Sequence, residues 1–137
     1  MSTDHFALYA VGSRAETATT LGPEQVAAFA NLTDDRNPIH LDEQFAATTR
    51  FGGCIAHGML VGSLISAVLA TKLPGPGTIY MQQSLQFRAP VRVGSVVVAA
   101  VEVVEVIAEK RRLRLLTTCS VQGQVVVQGE ALVMLPA

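Results

Sequence analysis

An apolar run of sixteen residues, IAHGMLVGSLISAVLA, constrains the fold of this chain more than any other stretch. It covers residues 55–70. It is shorter than the roughly 20 apolar residues that a membrane-spanning helix needs. Since it is apolar on nearly all sides, its helix is expected to be buried on most sides. Pro74 and Pro76 cannot continue a helix. We therefore predict one long buried helix over residues 57–72.

Short elements precede this run. A first strand is predicted near residues 6–10, and the segment LGPEQVAAFANL predicts a helix with proline at its first position. Val26, Phe29 and Ala30 follow helical spacing and predict its apolar face. A further short helix is predicted over residues 41–49, with Asp42 as its cap and Phe45 as its buried anchor.

Everything after the long helix is typical of strands. Four segments are rich in β-branched residues or alternate between polar and apolar residues, and turns are predicted around residues 93–95, residues 109–112 and Gly123. The segments are IYMQQSLQFRAPV, VVVAAVEVVEVIAE, LRLLTTCSVQ and VVVQGEALVML. This order predicts a single α+β domain over residues 1–137, in which a curved antiparallel sheet wraps around one central helix.

Composition excludes several classes of function. The chain has 137 residues, a net charge of -1 and no basic stripe, which argues against nucleic-acid or membrane-surface partners. Its two cysteines lack CxxC spacing and its first residues lack the pattern of a secretory signal, so we expect free thiols and a cytoplasmic location. Three scattered histidines without HxxxH spacing predict no metal site.

The stretch LTDDRNPIHLD, residues 32–42, concentrates polar chemistry in an otherwise apolar chain. Pro38 disfavours helical backbone at Asn37, and the resulting bend can turn Asp35 and His40 toward the same volume. A carboxylate and an imidazole placed in this way can hold and activate a water molecule. The structural alternative is that the aspartate caps the next element and the histidine is packed or lies at the surface.

A second candidate is the sequence His57-Gly58-Met59 at the start of the long helix. Unpaired N–H groups and the positive end of the helix dipole meet there, and glycine would let a carbonyl group approach the backbone as in an oxyanion hole. Alternatively, Gly58 only permits close packing of helix and sheet. Ser66 falls about two turns later on a similar face. It can bind a ligand or bond back to its own helix.

Other reactive residues fit weaker patterns. Arg88, in the strand context QFRAPV, is either an exposed strand residue or a clamp for a ligand phosphate. Ser63 and Ser66 lack the GxSxG pattern of a serine hydrolase. Cys54 has apolar neighbours, which indicates a buried and inert thiol rather than a nucleophile.

Together these segments resemble a known family. Residues 33–40, TDDRNPIH, resemble the signature of the MaoC-like (R)-specific enoyl-CoA hydratases: a small hydroxyl residue, a variable residue, Asp, any residue, Asn, Pro, an aliphatic residue and His. The resemblance continues in order through IAHGML, LPGPGTIY, FRAPV and GEALV, and so covers nearly the whole chain. It is similar above all to the short single-domain hydratases that supply (R)-3-hydroxyacyl-CoA for polyhydroxyalkanoate synthesis. Many members have glycine where Asp34 stands.

The resemblance implies the hot-dog fold, a homodimer and an acyl-CoA substrate without a separate cofactor, since coenzyme A is part of the substrate. It also implies roles for individual residues. Asp35 and His40 match the pair that activates the attacking water, and Asn37 is a candidate for orienting them. The Gly58 N–H matches the group that polarises the thioester carbonyl, and Ser66 matches a serine near the substrate. Leu69 and Val133 are implied to bound the acyl pocket, and Arg88 remains the candidate contact for a CoA phosphate.

The implied reaction is the addition of water to a trans-2-enoyl-CoA. Alternatives remain open at this point. A 3-hydroxyacyl-thioester dehydratase acting on acyl carrier protein would use the same site. An acyl-CoA thioesterase would have no need for the DxNPxH pattern. A non-catalytic acyl-CoA-binding module would bind the ligand without converting it.

Overall fold

We analysed a computed structural model, which describes residues 9–136. Its elements are β1 (Arg14–Leu21), α1 (Pro23–Thr33), α2 (Pro38–Leu41), α3 (Glu43–Ala47), α4 (Gly58–Thr71), β2 (Ile79–Gln83), β3 (Gln86–Phe87), β4 (Ser95–Ile107), β5 (Arg112–Val121) and β6 (Gln124–Met134). The helices over residues 23–33 and 58–71 confirm two predictions, including Pro23 at the first turn. The strand predicted near residues 6–10 falls mostly outside the described residues.

The strands form one antiparallel sheet in the order β1-β4-β5-β6-β2, with β3 also paired to β6. Strands β4, β5 and β6 are a meander of long hairpins, and the turn between β5 and β6 uses positive φ angles at Gln122 and Gly123. Gly94 also has a positive φ and marks the predicted turn before β4. Strands β4, β5 and β6 thus pair with their sequence neighbours, whereas β1 pairs with β4 and β2 with β6 over longer connections. All of these pairs are antiparallel, as predicted.

Helix α4 lies against this sheet and contacts β1, β4, β5 and β6. Its buried face carries large aliphatic side chains that join the core: Leu60, Val61, Ile65, Val68 and Leu69. A helix that touches four successive strands is the arrangement expected of a sheet that curves around it. No helix among residues 9–136 is long and apolar enough to cross a membrane.

Two predictions about burial were wrong. The outer face of α4 is exposed in the chain, although burial on most sides was predicted. That face carries small residues and one methionine: Met59, Ser63, Ser66, Ala67 and Ala70. In α3, Asp42 does cap the helix by accepting from the Phe45 N–H at 3.1 Å. Phe45 itself is 46% exposed, however, because the helix turns Ala46 toward the core instead.

The long segment predicted as one strand over residues 79–91 is divided into β2 and β3. Between them Ser84 and Leu85 cross β6 at Gly129, where the Ser84 carbonyl oxygen occupies the place that a Cβ would take. The Ser84 N–H donates to the Glu130 carbonyl at 2.9 Å, and the Ser84 hydroxyl accepts from the Glu130 N–H at 2.9 Å. The crossing places Leu85 on Gly62 and Phe87 on Gly58, so it determines what lies over the start of α4.

This crossing generates a stability prediction. Gly129→Ala should lower the free energy of unfolding by about 3 kcal/mol, because the new methyl group must displace backbone rather than a flexible side chain. Gly12→Ala is the control, since Gly12 has a positive φ but open space around its Cβ position. It should cost only about 1 kcal/mol from backbone strain. Denaturant titration of both variants measures the difference, and equal losses would contradict the steric explanation.

Candidate active site

The loop between α1 and α2 is fixed by short local bonds. Asp34 ends α1 in the left-handed region at φ 64°, and its N–H donates to the Ala30 carbonyl at 2.8 Å. The Asp35 N–H donates to the Thr33 hydroxyl at 3.2 Å. Asn37 caps α2 by accepting from the Ile39 N–H at 3.2 Å. A left-handed position favours glycine, and aspartate is one of the few other residues that adopt it.

Asp35 and His40 meet as predicted. A carboxylate oxygen of Asp35 and a ring nitrogen of His40 lie within 4.8 Å of each other. The His40 Nδ1–H donates to the Ile55 carbonyl oxygen at 2.7 Å, so Nε2 is left as a hydrogen-bond acceptor. Asn37 supports the pair, since its N–H donates to Asp35 Oδ1 at 3.4 Å. Two groups this close can share one water molecule through hydrogen bonds to both.

His57 completes this cluster, and sequence reasoning gave it no role of its own. Its ring is 2% exposed and its Nε2–H donates to the Asp35 carbonyl oxygen at 3.0 Å. Its ring centroid lies 3.9 Å from that of His40 and 4.7 Å from that of Phe29. Its position is the signal that could have found it. A residue that can carry a positive charge stands directly before an apolar helix, where an uncharged side chain would be expected.

The N-terminus of α4 lies beside the pair. Gly58 is the first residue of the helix, and the first N–H bonded within it is that of Val61, to the His57 carbonyl at 3.1 Å. The Gly58 N–H is therefore one of the unpaired amides of the first turn. The Phe87 ring lies 2.9 Å from the position of a Cβ on Gly58, so this glycine permits close packing, and its role as an oxyanion donor stays a prediction.

His40 and Gly58 line one cavity of about 310 Å³. Its walls are mainly apolar, and two arginines, Arg50 and Arg88, stand among them. The remaining lining residues are Phe51, Ile55, Ala56, Val61, Phe87, Ala89, Pro90, Val91 and Val127. Arg88 is exposed and donates to Gln86 Oε1 at 2.8 Å, which leaves most of its guanidinium N–H groups for a ligand.

Ser66 lies in a second cavity of about 390 Å³, apart from His40 and Gly58. Gly62, Leu85 and Tyr80 also line this cavity, and burial raises the pKa of Tyr80 to about 12. The other serine of the helix, Ser63, donates to the Leu60 carbonyl at 2.6 Å. Ser63 therefore makes the hydrogen bond to its own helix that was the alternative considered for Ser66.

Leu69 and Val133 are both buried in the core and line neither of these two cavities. Each adjoins the second cavity through a neighbour. Leu69 follows Ser66 by about one helical turn, and Val133 pairs across the ladder with Tyr80. The implied role in an acyl pocket thus stays a prediction, with the second cavity as the nearest space.

The cysteines are unsuited to nucleophilic chemistry. Cys54 and Cys119 are free and buried. Burial, together with the hydrogen bond and negative charge of Glu43, raises the pKa of Cys54 to about 11. Burial alone raises the pKa of Cys119 to about 12. Both thiols stay protonated near neutral pH, which agrees with the interpretation of Cys54 as inert.

Asp35, His40 and His57 also form a group that offers three metal-ligand atoms within 4.8 Å. Two ring nitrogens of this group already donate to carbonyl oxygens, His40 Nδ1 to Ile55 and His57 Nε2 to Asp35. A nitrogen that carries hydrogen cannot bind a cation. These bonds use one nitrogen of each ring and leave the other as an acceptor. The absence of a metal therefore stays a prediction.

Comparisons with known proteins identify the relatives of this chain. The family described as MaoC like domain matches residues 9–125. A 3-hydroxybutyryl-CoA dehydratase of Methylorubrum extorquens is 58% identical over 85% of this chain and 74% of its own. An (R)-specific enoyl-CoA hydratase of Rhodospirillum rubrum is 51% identical over 92% of this chain and 88% of its own.

Among solved structures, the (R)-hydratase of A. caviae involved in PHA biosynthesis superposes with a TM-score of 0.91 at 48% identity, covering 93% of this chain and 98% of its own. This likeness confirms the predicted hot-dog fold. The superposition covers most of the chain, and so does the family match. Together they decide the classification. The chain belongs to the MaoC-like domain family.

Proposed function

We propose that this protein is an (R)-specific enoyl-CoA hydratase, which converts trans-2-enoyl-CoA to (R)-3-hydroxyacyl-CoA. The observation that carries the proposal is the approach of Asp35 and His40 to within 4.8 Å of each other, beside the free amides at the start of α4. The relatives named as hydratases and as a 3-hydroxybutyryl-CoA dehydratase support it, since hydration and dehydration are the two directions of one reaction.

The proposed mechanism combines the Asp35/His40 pair with the Gly58 amide. A water donates one hydrogen to the Asp35 carboxylate and the other to His40 Nε2, which leaves an oxygen lone pair for attack on C3. As that C–O bond forms, the C2–C3 π electrons move toward the thioester oxygen, and the Gly58 N–H stabilises the enolate charge. The water gives up one proton to the Asp35/His40 pair. The pair then returns a proton to C2 as the enolate collapses, so that one H₂O is added in total.

The oxyanion role of Gly58 is consistent with the chemistry of a helix start. The dipole places partial positive charge at the same amides that lack helical partners. A carboxylate such as Asp35 would be repelled by the developing enolate, so a separate positive group is needed for the oxygen. The apolar walls of the 310 Å³ cavity strengthen this interaction by excluding water.

For recognition of coenzyme A, we propose that Arg88 and Arg50 contact phosphate groups. Both are exposed and both line the cavity that contains His40 and Gly58. Arginine matches phosphate through paired N–H donors. Leu69 and Val133 are proposed to bound the acyl chain from behind the second cavity, where Ser66 would contact substrate.

We further propose a homodimer. Edge strand β2 exposes apolar residues on both faces, Ile79, Tyr80 and Met81, and the outer face of α4 is also uncovered. Exposed edge strands and apolar patches of this kind are normally covered by a partner. A cytoplasmic setting is supported by the two free cysteines, and supply of polymer precursors by the likeness to the A. caviae hydratase involved in PHA biosynthesis.

A dehydratase of 3-hydroxyacyl groups on acyl carrier protein is the second candidate. More distant relatives carry that name, including a mitochondrial protein of Solanum lycopersicum that is 37% identical over 95% of this chain. The two candidates share the site and differ in the carrier. Turnover of crotonyl-CoA against the crotonyl thioester of acyl carrier protein separates them, and a thioesterase would instead release free thiol.

The catalytic pair gives the first functional prediction. Asp35→Asn and His40→Ala should each lower kcat for crotonyl-CoA hydration by about 10³-fold, since each removes a proton-transfer group. The loss of enoyl absorbance measures the rate. Asp34→Asn is the matched control, because Asp34 is an adjacent acid that pairs with Arg36 at the surface, and its rate should stay within twofold. Near wild-type rates in both catalytic variants would contradict the mechanism.

Phosphate recognition gives the second functional prediction. Arg50→Ala and Arg88→Ala should each raise KM for crotonyl-CoA about tenfold with little change in kcat, the loss expected of one charge-assisted contact. The effect should vanish with the N-acetylcysteamine thioester, which has no phosphate. Arg14→Ala is the control, because β1 is the opposite edge of the sheet from β2. An equal rise in KM with the phosphate-free thioester would refute the assignment.

The dimer proposal predicts a change of mass in solution. Wild-type protein should scatter light as a dimer, and Met81→Glu should scatter as a monomer, since a charge would be buried at the β2 edge. Val96→Glu changes an exposed apolar residue on β4, which is paired on both sides, and should remain dimeric. A monomeric wild-type protein, or a dimeric Met81→Glu variant, would count against this interface.

A further inference from the structure

We infer that His57 is the positioning residue of the active site, which holds Asp35 and His40 in register with the N-terminus of α4. The inference rests on the proposed function, since it concerns the same pair and the same oxyanion donor. Three contacts of one buried side chain carry it: a hydrogen bond to Asp35, a ring contact with His40, and its own place directly before Gly58.

The hydrogen bond fixes the backbone that carries the carboxylate. The partner of His57 Nε2 is the Asp35 carbonyl oxygen, at 3.0 Å. A carbonyl oxygen can only accept, so Nε2 must carry the hydrogen. Asp35 lies in an exposed segment between two helices, where every other bond described is to a residue within two positions of it. His57 therefore supplies the tie between this loop and the rest of the fold.

The ring contact fixes the imidazole that faces the water. His40 is held in its plane on one side by its bond to the Ile55 carbonyl. On its face it meets the His57 ring at a centroid distance of 3.9 Å and an interplanar angle of 32°. Phe29 supports the His57 ring in turn at 4.7 Å. A side chain without a flat ring at position 57 would let His40 tilt away from Asp35.

The position in the chain adds the third element. His57 is the N-cap residue of α4, so its backbone is continuous with that of Gly58. Any shift of the helix start moves His57, and with it both members of the pair. One residue thus couples the donor for the thioester oxygen to the groups that handle the water.

The remaining nitrogen indicates that stability alone does not explain this histidine. His57 Nδ1 is buried without a hydrogen-bond partner among the described residues. Burial of an unpaired acceptor is unfavourable, and an apolar side chain of similar size would avoid it. An aliphatic residue would lack both the donor at Nε2 and the flat ring, and phenylalanine would lack the donor. These two properties are the ones that reach Asp35 and His40.

Three substitutions separate these properties. His57→Gln keeps an N–H donor near Nε2 but has no ring, His57→Phe keeps the ring without a donor, and His57→Leu has neither. We expect kcat for crotonyl-CoA hydration to fall about tenfold in each of the first two and about 100-fold in the third, with KM within threefold of wild type. Misplacement of catalytic groups lowers kcat to this extent without removing substrate contacts.

Val68→Ala is the control for a merely structural role, since Val68 is fully buried on the same helix and faces the core. It should lower Tm while leaving kcat within twofold. If kcat in the His57 variants stays within twofold of wild type, or if Val68→Ala loses as much kcat as His57→Leu, the inference is overturned.

A second readout does not depend on activity. In ¹⁵N NMR of histidine-labelled protein, wild-type His40 should show the Nδ1–H tautomer fixed by Ile55, and His57→Leu should show averaged ring signals. Failure of the wild type to hydrate any enoyl-CoA would refute the proposed function and leave this measurement standing. An unchanged His40 spectrum in His57→Leu would refute the positioning role.

Discussion

The docking of α4 onto the sheet is the contact on which the rest of the molecule depends. Its aliphatic face meets four strands, and the direction of the helix then fixes where its first turn points. Because that turn carries both His57 and Gly58, the same packing that stabilises the core also orients free amides and a buried imidazole toward the loop at Asp35. The core therefore sets the direction of the helix whose first turn forms part of the site.

Small residues on α4 let another segment of the chain approach the helix closely and form one side of the site. Phe87 and Leu85 reach the helix only because positions 58 and 62 lack side chains, and they reach it from a segment whose path is set by Gly129 on β6. Three glycines on two elements thus cooperate to bring an apolar segment across the start of the helix. Within that segment, Phe87 lines the same cavity as His40. It gives the site an apolar wall beside its polar pair.

Local signals in the sequence were sufficient for most of this. The apolar run with its following prolines predicted α4 almost to the residue, β-branched alternation predicted the meander, and Asn37-Pro38 predicted the bend that joins Asp35 to His40. Each depends on neighbours in sequence. The exceptions are contacts across the fold: β1, whose alternating Ala and Thr residues lack a strong apolar face, the crossing at Gly129, and the orientation of α3 that exposes Phe45.

His57 shows why such contacts escape a reading of sequence. Its neighbours in the chain are apolar, so it is typical of a packed core residue, and its burial fits that interpretation. Its role depends on a hydrogen bond to a main-chain oxygen 22 positions away in the sequence. Every residue has such an oxygen, so no sequence pattern identifies this partner. The carboxylate and imidazole that we propose to handle water must stay exposed enough to admit it, so they cannot be fixed by burial. A buried neighbour that bonds to the main chain of Asp35 and stacks on the ring of His40 meets both requirements.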